Sequence, residues 1–457
     1  MAAESADLVI LGGGSGGYAC ALRASQLGKS VILIDQDKLG GTCLHRGCIP
    51  TKALLHAAEI ADSARESEAF GVRATLDGID MPKVNAYRDQ VVGRLYKGLQ
   101  GLVKSRNVQL VEGRGRLVGP NTVQVGDSTY TGTVVVLATG SYARTLPGLE
   151  IGGRIMTSDQ ALDLDYVPGS VIVLGGGVIG AEFASIWRSF GADVTIVEAL
   201  PHLVPNEDES CSKALERAFR KRGINLSLGV RFASATQNAD GVQVSLEDGT
   251  TLQADLLLVA VGRGPSTTGM GFEEQGITMD RGWVIVNDRL RTNLPNVYAV
   301  GDITPGLQLA HRGFQQGIFV AEEISGLNPE VIPDVNIPRV TYCEPEVASV
   351  GLTEVQAREQ FGDAVTVYEY NLGGNGKSQI LATTGFIKLV QRTDGPVVGV
   401  HMVGSRVGEQ IGEAQLIVNW EANPDDVATL IHAHPTQNEA MGEAHLALAG
   451  KPLHAHA

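Results

Sequence analysis

The sequence predicts an α/β protein with two dinucleotide-binding domains and a separate α+β domain at the C-terminal end. A βαβ unit with a glycine-rich turn opens the chain, a second unit repeats it, and alternating β patterns replace both from about Ile337. Asp35 and Glu198 end the second strands of the two units. Each follows the first glycine of its turn, Gly12 or Gly175, by 23 positions. Such a repeat predicts two nucleotide sites in two domains.

Composition and charge narrow the class of protein. A chain of 457 residues is too long for a single core. Its net charge of −15 disfavours nucleic acid and anionic membranes as partners. No apolar run reaches the roughly 18 residues of a membrane span, and no basic secretory region opens the chain. Five cysteines are too few to staple a chain of this length, so we expect a cytoplasmic protein in a reducing compartment, without a metal site.

The first glycine turn lies between a strand and a helix. Gly12 permits the tight turn, Gly14 lets the backbone approach a pyrophosphate, and Gly17 lets the helix pack against the strand. The helix N-terminus supplies N–H donors for the phosphates, and Asp35 can accept hydrogen bonds from ribose hydroxyls. A glycine turn alone is weak evidence, and its flanking elements strengthen it. The elements predicted here are Leu8–Leu11, Tyr18–Leu27 and Val31–Ile34.

The second glycine turn repeats this arrangement with Gly175, Gly177 and Gly180. Glu198 decides which nucleotide it suits, because a carboxylate can accept from the 2′-hydroxyl of NAD but repels the 2′-phosphate of NADP. The residues that follow Glu198 supply no cation to compensate. We therefore expect NAD at this site. The elements predicted around the turn are Val171–Leu174, Ala181–Phe190 and Val194–Val197.

Cys43 and Cys48 are the candidate redox-active disulfide. Five residues of a regular helix rise about 7.5 Å, which exceeds the usual Cα separation of a disulfide, about 7 Å. Cys43 is therefore expected outside regular helix, where the neighbouring glycines give the backbone freedom. Pro50 is typical of the first turn of a helix, predicted over residues 49–61, so Cys48 lies at a helix N-terminus that lowers its pKa. The alternative is a pair of buried free cysteines.

Three further side chains are candidates for the thiol chemistry. Lys52 lies one helical turn after Cys48, where its charge can stabilise a thiolate, and Glu182 can pair with it. His434 and Glu439 combine an imidazole with a carboxylate, as a base near neutral pH requires. The residues alone leave these roles open, since Lys52 can face solvent and a histidine near a C-terminus is commonly a surface residue.

With these motifs in place, the whole chain resembles the pyridine nucleotide–disulfide oxidoreductases. Gly40 to Lys52 is similar to the family's active-site signature, and Thr292 to Asp302 is similar to its second FAD motif. Tyr342 to Ala348 resembles the start of its dimer-interface domain. The resemblance implies that His434 and Glu439 form a catalytic pair that reaches the disulfide of the partner subunit.

The resemblance also implies the cofactors FAD and NAD and the residues of the site. Residues 308–311 are similar to the family's flavin-ring contact. The predicted catalytic residues are Cys43, Cys48, Lys52, His434 and Glu439. The predicted cofactor-binding residues are Gly12, Gly14, Gly17, Asp35, Gly41, Thr42, Lys52, Gly115, Thr139, Gly140, Ser141, Asp302, Gln308, Leu309, Ala310, His311, Gly175, Gly177, Gly180, Glu182, Glu198, Val230 and Gly262.

The implied architecture is two Rossmann-like domains followed by an α+β dimerisation domain. Its predicted parts are an FAD domain from 1–147 and 266–336, an NAD domain from 148–265, and a dimerisation domain from 337–457. The implied reaction oxidises protein-bound dihydrolipoamide to lipoamide through the cysteine pair and FAD, and reduces NAD⁺. The implied partners are a second copy of the chain, lipoyl-bearing carrier domains and the acyltransferase core of 2-oxo acid dehydrogenase complexes, or the glycine cleavage system.

Several residues depart from the family's usual pattern. His45 and Arg46 stand where the family usually has Asn-Val, Gln315-Gln316 replaces a commonly acidic pair, and Ser266 replaces an Asn. Our hypothesis for the His-Arg pair is that its charge stabilises the thiolate and makes the disulfide more oxidising.

Two other functions are compatible with parts of the pattern. A reductase of a low-molecular-weight disulfide, of the glutathione or mycothione type, resembles this chain but usually takes NADPH, which Glu198 disfavours. A flavin-binding scaffold without turnover belongs to a different class, and the intact set of candidate catalytic residues argues against it.

Overall fold

One mixed sheet, one parallel sheet and one antiparallel sheet organise the chain in the computed structural model, which describes residues 3–331 and 333–455. The first two sheets carry the glycine turns and the third belongs to the C-terminal part. The predicted α/β fold class is confirmed.

The first sheet contains the opening βαβ unit. Its central strand Ala3–Leu11 pairs in parallel with Val31–Asp35 on one side and with Ser128–Leu137 on the other. After the second sheet is complete, the chain returns to add Val297–Ala299 to the first sheet. The strands of this sheet are Ala3–Leu11, Val31–Asp35, Gln109–Glu112, Gly115–Gly119, Thr122–Val125, Ser128–Leu137 and Val297–Ala299.

The second sheet contains the repeated unit, and all of its pairings are parallel. Its strands Ser170–Leu174 and Leu256–Val259 are apolar and buried except for the partly buried Ser170, as expected for a sheet covered on both faces. An antiparallel sheet packs beside it, formed by Phe232–Gln237, Val242–Leu246 and Thr251–Ala254. In spatial order the strands of the parallel sheet are Asn225–Leu228, Asp193–Glu198, Ser170–Leu174, Leu256–Val259 and Ile155–Thr157.

Two short ribbons complete the nucleotide-binding part. Ser141–Ala143 pairs with Arg263–Pro265, so the segments that follow the last strands of the two units are hydrogen-bonded to each other. Met279–Asp280 pairs with Trp283–Val284. The domain boundaries given above remain a prediction.

The C-terminal part is built on a five-stranded antiparallel sheet. The alternating patterns around residues 365–403 form three adjacent strands of it, as expected. Helix Val407–Asn419 and helix Glu439–Leu448 supply apolar side chains to its core. In spatial order the strands are Arg339–Thr341, Glu346–Gly351, Val397–Gly404, Phe386–Arg392 and Val365–Asn371.

The helices connect and cover these sheets. The helix predicted over residues 49–61 begins one residue earlier and continues to Glu66, and in its last turns Asp62 and Arg65 hydrogen-bond to Ser189 of the second unit. The α-helices are Ser15–Gln26, Gly41–His45, Cys48–Glu66, Met81–Ser105, Ser158–Ala161, Val178–Phe190, Glu209–Lys221, Ala310–Glu323, Glu354–Phe361, Gly376–Ile380, Val407–Asn419, Pro424–Ala428 and Glu439–Leu448. Single 3₁₀ turns lie at Ser67–Phe70, Gly301–Ile303, Asp334–Asn336 and Leu372–Gly374.

One contact between the two nucleotide-binding units positions the candidate site. Helix Cys48–Glu66 packs along helix Val178–Phe190 in a shared core that contains Leu54, Ala58 and Phe183. The packing aligns the first turn of one helix with the first turn of the other. It therefore brings the cysteine pair of the first unit beside the second glycine turn.

Candidate active site

Cys43 and Cys48 lie in two successive helices rather than in one. Cys48 is the first residue of helix Cys48–Glu66, as predicted. The expectation that Cys43 lies outside helix is wrong, because it is the third residue of the one-turn helix Gly41–His45. Gly40 and Gly41, with φ of +106° and +61°, let this short helix begin abruptly. The spacing excluded one continuous helix but not two separate ones.

The two cysteines are free thiols that shift each other's pKa in opposite directions. Interaction with the Cys43 thiol lowers the pKa of Cys48 to about 7, with help from the charge of Lys52 and against the effect of burial. Interaction with the Cys48 thiol, together with burial, raises the pKa of Cys43. The pair therefore holds its negative charge on Cys48 and its proton on Cys43.

Lys52 forms an ion pair with Glu182 across the two units. Its Nζ lies 2.8 Å from each carboxylate oxygen, and the Glu182 side chain is 3% exposed. Glu182 also accepts the backbone N–H of Tyr342 at 3.0 Å, and the Tyr342 ring lies 4.9 Å below the ammonium. Burial lowers the pKa of Lys52, but Glu182 outweighs burial, so the net direction is upward and the ammonium stays charged.

The first glycine turn has the close backbone packing that a pyrophosphate-binding turn requires. A Cβ on Gly12 would collide with the carbonyl of Ala138, and one on Gly17 with the carbonyl of Gly12, so the fold itself requires these two glycines. A Cβ on Gly14 would meet nothing closer than the Cα of Gly41, at 3.9 Å. A Cβ on Gly41 would lie only 2.7 Å from the Gly14 Cα, so these two glycines bring their backbones close together beside the predicted pyrophosphate position.

Asp35 closes the other side of this cradle. Its carboxylate accepts the backbone N–H of Gly13 and, at 2.8 Å, that of Asp37. Burial raises its pKa, against the two backbone donors that lower it. The side chain is thus fixed at the end of its strand, where ribose hydroxyls can reach it. Gly115 lies buried beside Leu11 on the same sheet.

A polar cluster follows the last strand of the first sheet. Ser141 Oγ donates to Asp302 Oδ2 at 2.6 Å, and Arg263 donates to the hydroxyl and the carbonyl of Ser141 at 2.8 Å. Thr139 Oγ1 donates to the carbonyl of Ser266 at 2.6 Å. Gly140 lies between them with a φ of +75° and open space on its Cβ side.

The loop that leads into helix Ala310–Glu323 contains an unpartnered donor. Gln308 Nε2 is buried and has no hydrogen-bond partner among the residues that the structure describes. A buried amide without a partner is costly, so a ligand atom at this position fits the structure. The ring of His311 is exposed and donates to the carbonyl of Pro338 at 2.8 Å, while Leu309 caps the helix that Ala310 begins.

The second glycine turn reproduces the first. A Cβ on Gly175 or on Gly180 would collide with backbone, whereas a Cβ on Gly177 has no heavy atom within 4 Å. Glu198 repeats the role of Asp35, since it accepts the N–H of Gly176 at 2.6 Å and the N–H two residues after itself at 2.8 Å. The repeat seen in the sequence is thus a repeat of hydrogen bonds. Val230 donates to the Glu198 carbonyl, and Gly262, at φ +104°, borders open space.

His434 and Glu439 form the predicted pair. Nδ1 of His434 donates to Glu439 Oε1 at 2.7 Å, and Glu439 Oε2 accepts the N–H of Thr436 at 2.7 Å. The His434 side chain is 78% exposed. Its other ring nitrogen is therefore free to meet a group outside this chain. Burial raises the pKa of Glu439, but Thr436 and His434 outweigh it, so the pKa is lowered.

Some residues at the site were not predicted. Tyr342 and Arg263 contact predicted residues from positions 160 and 122 away in the sequence. Arg263 directly follows Gly262 in the turn after the last strand of the second unit. This position is the sequence signal that could have identified Arg263 as a site residue. Among residues 3–331 and 333–455, no cluster of three metal-binding side chains occurs, and no helix has both the length and the apolar composition needed to cross a membrane.

Comparison with known proteins defines the family. Residues 6–317 match the pyridine nucleotide-disulphide oxidoreductase family, and residues 337–445 match the dimerisation domain of that family. The chain belongs to this family. It carries a dimerisation domain, and its cofactors are FAD and NAD. The predicted oxidoreductase class is confirmed.

Individual relatives of this oxidoreductase match along almost its whole length. A dihydrolipoyl dehydrogenase of Bacillus subtilis is 39% identical over 98% of this chain and 99% of its own. A mitochondrial one of Arabidopsis thaliana is 38% identical over 98% and 91%. The crystal structure of LpdA from Mycobacterium tuberculosis has a TM-score of 0.90 at 29% identity, over 98% and 100%. A flavoprotein disulfide reductase of Escherichia coli, RclA, has a TM-score of 0.87 at 26% identity, over 97% and 100%.

The departures from the pattern of the family have structural explanations. Gln316 Oε1 accepts the backbone N–H of Gly301 at 2.7 Å, so the amide serves as an acceptor at this position. Arg46 forms an ion pair with Asp37 at 2.7 Å, and neither Arg46 nor His45 is among the leading causes of the cysteine pKa shifts. The leading causes are thus other groups, and the hypothesis that the charge of His45 and Arg46 stabilises the thiolate remains a prediction.

Proposed function

We propose that this enzyme oxidises dihydrolipoamide carried on a partner protein and reduces NAD⁺. The observation that carries the substrate assignment is the near-complete alignment with dihydrolipoyl dehydrogenases, at 37–39% identity over 98% of the chain. The thiols, the buried cation and the histidine–glutamate pair supply the groups that thiol–disulfide exchange needs.

The proposed reaction begins with a proton transfer to His434. Its Nδ1–H is held by Glu439, so Nε2 carries the lone pair and can accept the proton of a substrate thiol. Glu439 stabilises the imidazolium that forms. The pair thus generates the substrate thiolate near neutral pH.

The substrate thiolate then attacks Cys43 Sγ of the disulfide form. The S–S bond breaks and Cys48 leaves as a thiolate, which the Lys52 ammonium and the helix N-terminus stabilise. The second substrate thiol attacks the substrate sulfur bound to Cys43, and its proton passes to the Cys43 sulfur as that sulfur leaves. This releases lipoamide and leaves Cys43 as a thiol, Cys48 as a thiolate and His434 protonated. The substrate loses two electrons and the two cysteines gain them.

Bound FAD would supply the acceptor for this electron pair and the hydride donor for NAD⁺. Gly12, Gly14 and Gly17 with Asp35 are proposed to hold FAD, and Gln308 Nε2 to donate to it. The second turn with Glu198 is proposed to hold NAD. The Glu198 carboxylate would accept a hydrogen bond from the 2′-hydroxyl of NAD and would repel a 2′-phosphate.

The proposal requires a homodimer. His434 lies on the dimerisation domain, and its hydrogen-bond partner within the described residues is Glu439 rather than either cysteine. We infer that His434 serves the cysteines of the other copy. The proposed partners beyond the dimer are lipoyl-bearing carrier domains and the acyltransferase core of a 2-oxo acid dehydrogenase complex, or a glycine cleavage system. A cytoplasmic location is part of this proposal, since a catalytic dithiol suits a reducing compartment.

A substrate comparison tests the function. Purified holoenzyme is assayed for NADH formation from dihydrolipoamide, and for NADH and NADPH oxidation by lipoamide and by glutathione disulfide. We expect the dihydrolipoamide reaction to dominate, with NAD preferred. Faster NADPH oxidation by the low-molecular-weight disulfide would overturn the proposal in favour of the reductase alternative.

A further inference from the structure

His45 and Arg46 anchor the segment that carries Cys43. This segment needs anchoring, because helix Gly41–His45 is only one turn long and has glycine on both sides. Gly40 takes a left-handed conformation, and Gly47 links to the next helix at φ −149° and ψ −112°. Once the disulfide is reduced, no cross-link between the two side chains holds Cys43 against Cys48.

His45 provides the first anchor. Its Nε2 donates to the carbonyl of Leu39 at 2.9 Å, which ties the end of the short helix back to the segment before it. Its ring meets the ring of Tyr96 edge to face, with centroids 5.0 Å apart. Tyr96 belongs to helix Met81–Ser105, so His45 fixes the Cys43 segment to a separate element of the domain.

Arg46 provides the second anchor on the opposite side. Its guanidinium lies 2.7 Å from Asp37, and the Asp37 backbone N–H donates to Asp35 at 2.8 Å. Both side chains of the ion pair are about half exposed, at 49% and 43%, so the pair alone is weak. The ion pair matters because it connects the redox loop to the turn in which Asp37 donates to Asp35.

We propose that His45 and Arg46 are positioning residues that keep Cys43 within reach of Cys48 after the disulfide opens. They act through the backbone of the loop and not through charge on the thiols. Closure of the disulfide transfers two electrons and two protons from the dithiol to an oxidant, which is oxidised dithiothreitol in the experiment below. The equilibrium constant for closure depends on the effective concentration of one thiol at the other. The anchors raise that concentration. This inference rests on the proposed function of the cysteine pair.

The experiment measures the dithiol–disulfide equilibrium of holoenzyme in mixtures of reduced and oxidised dithiothreitol, with acid quenching and alkylation to count thiols. For His45→Ala/Arg46→Ala we expect the equilibrium constant for disulfide closure to fall by about tenfold, with each single variant intermediate. In the reduced enzyme Cys43 should also alkylate faster. FAD content and thermal unfolding report whether each variant is folded.

Two matched controls remove similar contacts elsewhere. His56→Ala deletes an exposed histidine that pairs with Glu59 on the helix of Cys48, and Arg281→Ala deletes an exposed pair with Asp280. Both should leave the equilibrium unchanged. An equal shift in the controls would overturn the assignment, as would an unchanged equilibrium in the folded double variant.

Arg46→Ala separates anchoring from charge. If anchoring is correct, the variant weakens closure, and Asp37→Asn, which breaks the same ion pair but keeps the charge of Arg46, weakens it as well. If the charge of Arg46 stabilises the thiolate, Arg46→Ala makes the disulfide less oxidising and strengthens closure, which overturns the inference. The measurement needs no dihydrolipoamide, so failure of the proposed substrate leaves it valid, whereas the absence of any titratable disulfide would defeat the proposed function itself.

Discussion

Lys52 Nζ lies 2.8 Å from both carboxylate oxygens of Glu182, although 130 residues separate the two side chains. Lys52 starts from the helix of the redox cysteine and Glu182 from the helix of the second glycine turn. The ion pair therefore joins the thiol chemistry of one unit to the nucleotide site of the other. Because Glu182 is buried, the ammonium is held in one place beside Cys48.

Lys52→Met should raise the pKa of Cys48 above its value of about 7. The variant removes a charge that favours the thiolate, so the thiolate fraction of reduced enzyme at pH 7 should fall from about half to about a tenth. The pH dependence of thiolate absorbance in the ultraviolet measures this. A titration curve that coincides with that of the wild type would contradict the role of Lys52.

Glu198→Arg should reverse the nucleotide preference. The carboxylate that can accept from the 2′-hydroxyl is lost and a cation for a 2′-phosphate is gained, so kcat/KM should fall about tenfold with NADH and rise with NADPH. Asp193→Arg, at the exposed start of the same strand, is the control and should change neither value. Unchanged kinetics of Glu198→Arg with both nucleotides would refute the assignment.

His434→Gln should lower turnover with dihydrolipoamide by at least about 100-fold, because it removes the general base. Reduction of the cysteines by NADH does not use this base and should be preserved. His454→Gln, which removes a histidine paired with Glu443, is the control and should keep full turnover. A loss of less than about 100-fold in His434→Gln would count against the base role.

A mixed dimer tests whether His434 acts across the interface. Cys43→Ser and His434→Gln homodimers should both be inactive. A heterodimer of the two contains one site with intact cysteines and an intact histidine, provided that they come from different chains. It should regain about half of wild-type activity. An inactive heterodimer would show that each chain uses its own histidine.

Lys388→Met should destabilise the chain far more than loss of a surface lysine. Lys388 and Asp208 are 8% and 3% exposed and 2.8 Å apart, so the variant leaves a buried carboxylate without its partner, at a cost of about 3–5 kcal/mol. Lys213→Met breaks an exposed pair with Glu209 and should cost less than about 0.5 kcal/mol. Denaturant unfolding of both variants measures the difference, and equal losses would contradict it.

The same pair predicts a sensitivity to acid. Burial raises the pKa of Asp208, but His401, Lys388 and hydrogen bonds outweigh burial and lower it. Because the pKa of Asp208 is lower in the folded state, its carboxylate stabilises the folded state at pH values above the ordinary carboxylate pKa, about 3.9. This contribution to the free energy of unfolding is lost as the pH falls below that value and through the folded-state pKa. Lys388→Met should therefore reduce the dependence of unfolding on pH in this range.

The glycine turns show how much of the site could be predicted from the sequence. A Cβ on Gly12 or Gly17 would collide with backbone, and this need follows from the strand–turn–helix pattern. Asp35 and Glu198 likewise occupy equivalent positions in the structure, as their equal spacing predicted. Such patterns within one strand–turn–helix–strand unit are sufficient to predict the local geometry of the site.

Contacts between distant segments could not be predicted in the same way. The donation from Tyr342 to Glu182 and the pairing of Lys388 with Asp208 join residues 160 and 180 positions apart. No periodicity or spacing encodes such pairs, because the packing of separate domains creates them. The short helix of Cys43 was not predicted for another reason. The spacing argument considered one continuous helix through both cysteines, or no helix at Cys43, but not two successive helices.

The most direct measurement of the proposed function follows electrons through the cysteines. Oxidised holoenzyme is mixed anaerobically with one equivalent of dihydrolipoamide, quenched and alkylated, before and after addition of NAD⁺. The expected result is new label at Cys43 and Cys48 before NAD⁺, then loss of that label with formation of an equivalent amount of NADH. Label that does not appear at these two cysteines, or that persists without NADH formation, would contradict it.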